Sequence, residues 1–483
     1  MSATLVKGAS WLVAWDARKN SHVYLRDVDL AFSGNAITYI GHRYDGEASH
    51  TIDGRDRLVL PGLVNIHSHP TSEPGNKGLL EELGSPGLGM SSLYEYMPIF
   101  RLGPEAARAA TQVAVAELLA SGVTTFVDLS GSRPGWADDL AQTGIRAVLG
   151  PMYRSASWAT RNGHSVEYDW DTAAGMKGLE LAVDTVRRAR QHPSGRIDGM
   201  LAPAQIDTCD AELLSASREA AQELGVPLQI HAAQSVVEFQ EITRRHGKTP
   251  IEFLDSLGLL GPETIIGHGI FINDHPWLHW PGGNDLARLA DAGVSVAHCP
   301  NVFVRRGIVL DHLHRYLAAG VNVGIGTDTF PHNMIEEMRW AATLARVMAR
   351  DYRGASTAEV FNAATVGGAR ALKRDDVGRL AVGAKADLVL VDLTHPAMRP
   401  VREPLRSLVY SACERAICDV FVDGGHVVRQ GRVASIDVEA AHASLAEAQA
   451  RALAGATARD WAARSVEEMS PMVFPVEPRA AAG

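Results

Sequence analysis

The stretch Pro61-Gly62-Leu63-Val64-Asn65-Ile66-His67-Ser68-His69 decides the fold, because it is an apolar run of strand character that ends in two histidines one residue apart. Side chains alternate along a strand, so His67 and His69 point to the same side. Two neutral imidazoles fixed in this way suit a borderline cation such as Zn²⁺, with a carboxylate and a further nitrogen completing the site. Alone the pair says little, since histidines are common in cores and on surfaces. Its weight comes from four later strand-like runs that also end in a polar, potentially ligating residue. His231 follows Leu228-Gln229-Ile230, His268 follows Ile265-Ile266-Gly267, His298 follows Val296-Ala297, and Asp328 closes Gly324-Ile325-Gly326-Thr327. In a (β/α)8 barrel the C-terminal strand ends converge on one mouth, so residues distant in sequence can meet around one ion.

Working outward, short apolar runs alternate with amphipathic stretches. Leu58-Val59-Leu60, Thr124–Val127, Ala147–Leu149, Thr264–Ile266, Val294–Val296 and Val321–Ile325 read as buried parallel strands, and Glu105–Ser121 and Ala211–Leu224 read as intervening helices. This rhythm does not separate a closed barrel from an open doubly wound sheet, although the missing GxGxxG after the first strand weakens a dinucleotide-binding fold. The expected class is α/β. A (β/α)8 TIM-like barrel over 58–376 is accompanied by a small composite β-sandwich from both chain ends, 1–57 plus 377–435. That pairing rests on strand-and-turn texture at both ends, as in Ser21–Arg26 and in Asp419–Val422 before the turn Asp423-Gly424-Gly425. The alanine-rich segment 436–468 is helical in character, so 436–483 is expected to be a helical extension serving as a surface helix or a subunit contact.

Composition narrows the partners. The 483 residues are 46% hydrophobic, enough for a large core, and the net charge of −10 comes from scattered charges without a basic run, which argues against nucleic acid. No segment approaches the length of an apolar membrane span, and Met1–Trp15 lacks the pattern of a secretory leader. Cys209, Cys299, Cys413 and Cys418 form no CxxC pair and are too few to staple so long a chain. The expectation is a cytoplasmic enzyme with reduced thiols and a small-molecule substrate.

The order PGLxxxHxH, a strand-end histidine, a second histidine about one βα unit later, then HCP and GTD, resembles the amidohydrolase superfamily in its chlorohydrolase and cytosine-deaminase-like branch. Gly378–Leu388 is similar to that family's return into its sandwich domain, and the resemblance covers about residues 1–435. It implies metal ligands at His67, His69, His231 and Asp328, with His268 beside the attacking water or substrate. No lysine follows Gly199–Pro203, where two-metal relatives carry a bridging one, so a single divalent ion is implied. Zinc is the first choice, and iron, manganese or cobalt suit the same donors. The ion would lower the pKa of bound water, Asp328 would accept a proton, and His268 would hydrogen-bond the developing oxyanion. The resemblance also implies a homodimer or larger homo-oligomer.

Two departures shift the expected substrate. Deaminases of this branch carry HxxE, whereas this chain reads His231-Ala232-Ala233-Gln234, and an amide orients a substrate without carrying a proton. Where relatives often place Ser-Asn after HCP, this chain has Val302-Phe303, an apolar wall. Together they favour hydrolysis of an amide, urea or carbamate bearing an apolar or aryl group. The alternative is an aminohydrolase or chlorohydrolase acting on a nitrogen heteroaromatic ring such as a pyrimidine, purine, pterin or s-triazine. Gln234, His268, His298, Phe303 and Trp158 are the expected substrate contacts, with Tyr94, Met90 and His164 as further pocket candidates. A noncatalytic relative that has lost its metal is disfavoured by the intact set His67, His69, His231, His268 and Asp328.

Overall fold

A computed structural model describes residues 3–79, 85–311 and 313–476. Eight short parallel strands carry the site: β1 (Leu63–Asn65), β2 (Val123–Ser130), β3 (Arg146–Tyr153), β4 (Ile197–Gly199, continued by Ala202–Pro203), β5 (Leu228–Ala232), β6 (Thr264–His268), β7 (Ser295–His298) and β8 (Asn322–Ile325). All eight residues of β2 are buried, as expected of strands covered on both faces. β1 to β4 form one sheet and β5 to β8 another. Backbone contacts join the two at both margins. Leu201 bridges Leu228 and Gln205 bridges His231 on one side, while Ser68 bridges Asp328 on the other. There Ile66 N donates to Ile325 O (3.1 Å) and Asp328 N to His67 O (2.9 Å).

Helices connect the strands where the amphipathic pattern places them. The expected helix Ala211–Leu224 is present, with the Asp210 carboxylate accepting the Leu213 N–H at its start and Gly225 in a left-handed conformation at its end. The other expected helix begins as a 3-10 turn at Pro104–Ala106 and runs on as Ala107–Ala120.

Two further sheets are built from the chain ends, the first from the N-terminal end alone and the second from both. One has four strands, in the order Ala36–Gly41, Val28–Ser33, Ala3–Ala9 and Ala48–Asp53. The other has seven, in which Leu388–Asp392 pairs antiparallel with Arg57–Pro61, so Leu58-Val59-Leu60 runs in this sheet and not among the eight parallel strands. Strand alternation divides its side chains between two cores. Val59, Leu388 and Leu390 pack with Leu12, Leu30, Phe32 and Phe421, whereas Leu58, Leu60, Val389 and Val391 join the large core around the parallel strands. Gly62 makes the sharp passage from one sheet to the other possible, because a Cβ there would lie 2.0 Å from Thr124 Oγ1.

After the last sheet strand come the helix Val438–Ala454 and two short turns, Ala456–Arg459 and Val466–Met469. Residues 477–483 of the expected extension lie outside the described residues. Among the described residues no helix is long and apolar enough to cross a membrane, and all four cysteines are unpaired.

Candidate metal centre and active site

The strand-end residues converge. His67 and His69 follow β1, His231 lies in β5, His268 ends β6, and Asp328 follows β8. Their donor atoms fall into two overlapping groups, His67/His69/His231 and His67/His268/Asp328, with all atoms of each group within 4.8 Å of one another. His69 Nε2 lies 3.2 Å from His231 Nε2, and Asp328 Oδ1 lies 3.5 Å from His67 Nε2 and 3.3 Å from His69 Nε2. His268 Nε2 is 3.6 Å from Asp328 Oδ2.

The outer contacts of three histidines fix their tautomers. His67 Nδ1 faces the Gln229 Oε1 carbonyl, whose amide is oriented by Nε2 donating to Ile66 O (2.9 Å). His69 Nδ1 donates to Leu129 O (2.9 Å), and His231 Nδ1 donates to Ala204 O (2.6 Å). With the proton held on Nδ1, each Nε2 lone pair is directed inward, the arrangement that metal-binding histidines require. His67 Nε2 is buried and has no hydrogen-bond partner, which is costly unless a cation takes it up. The donor set therefore fits a divalent ion with nitrogen and oxygen ligands. The packing around it is close: a Cβ on Gly326 would sit 2.6 Å from His67 Cβ.

Electrostatics keep the donors competent. Burial lowers the His231 pKa far below its ordinary value, and repulsion from His67, His69 and His268 adds to this. Burial likewise brings His268 down to about 3 despite the attraction of Asp328. Burial works against the Asp328 carboxylate, but His268, His67 and His69 outweigh it and hold the group well below the usual carboxylate range. At neutral pH His231 and His268 are thus neutral imidazoles beside an ionised carboxylate.

A cavity of about 240 Å³ opens on this cluster. His69, His231, His268 and Asp328 form its polar floor, and Leu93, Met97, Met152, Val302, Phe303 and Ile308 supply apolar walls. Phe303 stands edge-on to His268 with ring centroids 4.6 Å apart. Trp158 also lines the cavity, held by its Nε1 donating to Asp207 Oδ2 (2.9 Å) and by an edge contact with Tyr94. Gln234 lines it too, and its backbone is fixed from behind, where the buried Glu238 accepts the Ala233 N–H (2.5 Å) and the Gln234 N–H (3.4 Å). That support holds Ala233 at a left-handed φ of 54°.

Other expected contacts are placed differently. His298 is buried and is not among the cavity-lining residues, and burial brings its pKa down to about 4. Tyr94 sits one layer behind Trp158, with its hydroxyl on Ser235 Oγ (2.7 Å). Met90 and His164 are exposed and do not line the cavity.

Sequence reasoning missed three charged lining residues, Glu73, Arg154 and Arg306. Glu73 is buried with Oε1 unpartnered, and burial raises its pKa to about 7. It follows the HxH pair by four residues in a 3-10 turn, a position that no periodicity marks.

A family model described as the amidohydrolase family matches residues 58–427. The chain belongs to the amidohydrolase family. This amidohydrolase is 30% identical over 463 residues to a 5-methylthioadenosine/S-adenosylhomocysteine deaminase of Pelotomaculum thermopropionicum, covering 94% of this chain and 99% of the relative. It is 29% identical over 399 residues to a 5'-deoxyadenosine deaminase of Methanosphaera stadtmanae, covering 81% and 87%. Among solved structures, a zinc-bound adenosine deaminase from Xanthomonas campestris superposes with a TM-score of 0.78 at 26% identity, over 93% of this chain and 98% of that one. A zinc complex of atrazine chlorohydrolase from Arthrobacter aurescens TC1 superposes at 0.76 over 92% and 100%; at 21% identity it shows the fold alone. The enzyme is a metal-dependent amidohydrolase acting on carbon–nitrogen bonds other than peptide bonds. The relatives favour ring aminohydrolysis and lend no support to the amide, urea or carbamate reading drawn from Gln234 and Phe303.

Proposed function

We propose that this amidohydrolase is an aminohydrolase that replaces an exocyclic amino group of a nitrogen heteroaromatic ring with oxygen and releases ammonia, with 5'-modified adenosines as the first substrates to consider. The observation that carries the reading is the set of inward-facing histidine Nε2 atoms and Asp328 at the floor of a mainly apolar cavity, in a chain whose relatives are adenosine-type deaminases. The eight parallel strands and the bridges between their sheets support a closed (β/α)8 barrel that begins at Gly62, not at residue 58, and runs to 376. The shared core of the terminal sheets supports a composite sandwich of 1–61 and 377–435.

In this reading His67, His69, His231 and Asp328 hold one divalent ion, zinc first. When bound, such an ion would supply a water of lowered pKa beside the ring carbon under attack. Asp328, part of the cavity floor, would take the water proton and pass it to the departing amine. His268, neutral at pH 7, would hydrogen-bond the attacking oxygen and hold it over the ring carbon. Phe303 and Val302 exclude water beside the ring, and Trp158 supplies a flat wall. Gln234 offers its amide to a ring nitrogen as donor or acceptor, so proton transfer falls to Asp328 and His268. The four unpaired cysteines support a cytoplasmic location.

The test is product analysis on metal-replete enzyme given 5'-deoxyadenosine, 5'-methylthioadenosine, aminopyrimidines and triazines beside aryl ureas, carbamates and anilides. Ammonia with a deaminated ring is the expected product. A substituted amine released only from the acyclic compounds would sink the proposal and restore the reading drawn from Gln234 and Phe303.

A further inference from the structure

We infer that the C-terminal extension is the outer support of the substrate cavity: it holds two cavity-lining segments, around Glu73 and around Met97, in the positions that decide which substrates fit. This rests on the reading of that cavity as the substrate pocket.

The two segments have little regular structure of their own. Glu73–Asn76 is one 3-10 turn, and Tyr96–Ile99 is one helical turn without a side-chain cap at its start. Elements this short are marginal alone, so tertiary contacts decide where they sit. Those contacts come from the extension. Gln449 Nε2 donates to both Gly75 O (2.8 Å) and Lys77 O (3.1 Å), pinning the turn that carries Glu73. Arg459 Nε donates to Ile99 O (2.6 Å). Arg464 bridges two carboxylates, donating to Glu95 Oε1 (2.7 Å) and Asp460 Oδ1 (2.6 Å), and Trp461 Nε1 donates to the same Glu95 oxygen (3.0 Å).

Glu95 is buried immediately before the Met97 turn. Burial works to raise its pKa, but the Trp461 and Arg464 hydrogen bonds outweigh this and keep the carboxylate ionised. Charge-assisted bonds of this kind are the strong ones, and a buried carboxylate stripped of its donors would have to move or protonate. Apolar packing adds to the clamp. Ile99 and Phe100 form a cluster with Ala456 and Met469, and Met97, Leu453 and Val466 pack against it. Met97 therefore touches the extension on one side and the cavity on the other. The helix Val438–Ala454 is itself anchored, since Ala441 and Leu445 pack on Ala110 and Val113 of the helix Ala107–Ala120. The extension thus runs from a rigid element of the barrel layer to the two irregular segments at its mouth.

Full-length, metal-loaded Gln449→Ala, Arg464→Met and the double variant provide the test, with Arg464→Lys as the conservative control. Amide hydrogen exchange should speed up by about tenfold or more in residues 73–79 and 93–100, with β5 and the metal content unchanged. For whichever ring amine the wild type turns over, KM should rise about tenfold in the double variant while kcat stays within about twofold, and Arg464→Lys should recover part of the loss. Unchanged exchange in both segments, or equal acceleration throughout the barrel strands, would overturn the inference. Faster exchange with an unaltered KM would overturn its claim on specificity. Absence of turnover of any ring amine by the wild type defeats the aminohydrolase reading instead, and the exchange result then decides the supporting role by itself.

Discussion

Two buried charge clusters lie at different places in this molecule and are built on opposite plans. Arg146, in β3, is 2% exposed and is met by carboxylates from the C-terminal sheet region. Its Nη2 donates to Asp387 Oδ1 (3.2 Å) and Asp423 Oδ1 (2.9 Å), and the Asp423 N–H donates to Asp387 Oδ1 (2.7 Å). Burial opposes this cation, but the two carboxylates more than compensate and raise its pKa. The metal-binding cluster instead turns the protonated nitrogens of His67, His69 and His231 outward and their lone pairs inward, toward Asp328. A buried charge closed by protein groups fastens one layer to another; donors aimed at a common point are a binding site.

The difference predicts opposite consequences of mutation. Asp328→Asn should lower kcat by about 10²- to 10⁴-fold with little change in the melting temperature of the metal-free protein, measured by steady-state ammonia release and calorimetry. Arg146→Ala should do the reverse, costing about 3–5 kcal/mol of stability in urea titrations while folded enzyme keeps its kcat. Equal losses of stability in both variants would erase the distinction. A third variant probes the outer contacts. Gln229→Leu removes the acceptor that fixes the His67 tautomer, and metal affinity in a competitive chelator titration should fall about 10- to 100-fold with the strand intact.

The smallest effect is in pH dependence. Glu73 has an ordinary pKa of 4.5 that burial raises to about 7. The folded, metal-free chain keeps a proton there that the unfolded chain has released, so stability falls as pH rises from about 4.5 to about 7. Glu73→Gln should remove that slope, flattening the curve by about 1–3 kcal/mol over the window. A slope identical in wild type and variant would show that the Glu73 carboxyl is not the source.

The metal cluster was legible in the sequence because it obeys a local rule. Each of its residues stands at or just beyond the end of an apolar strand, and the parallel pairing of those strands, with the two sheets bridged at both margins, brings the ends together. Phe303 was legible from its place just after the His298-Cys299-Pro300 motif, and it lines the cavity as expected. The Arg146 cluster was not legible, because its partners lie 241 and 277 residues away at the ends of strands whose pairing no local pattern specifies. Glu73 and the Glu95–Arg464 contact escaped for the same reason, since they join irregular segments through tertiary packing. His298 shared the strand-end signal without reaching the cavity: the signal gives the end of the strand, and the final side-chain direction depends on packing. Gln234 shows the limit of motif reasoning on chemistry. Its loss of a carboxylate argued against ring deamination, whereas the relatives over more than four-fifths of the chain are deaminases.

The most direct measurement is ammonia release from 5'-deoxyadenosine by enzyme titrated with zinc after complete removal of metal. Activity should rise linearly and break at about one ion per chain, and Asp328→Asn should stay at least about 10²-fold below the wild type at every zinc level. Stoichiometric zinc binding without ammonia, or ammonia release that persists in the chelated enzyme, would contradict the account.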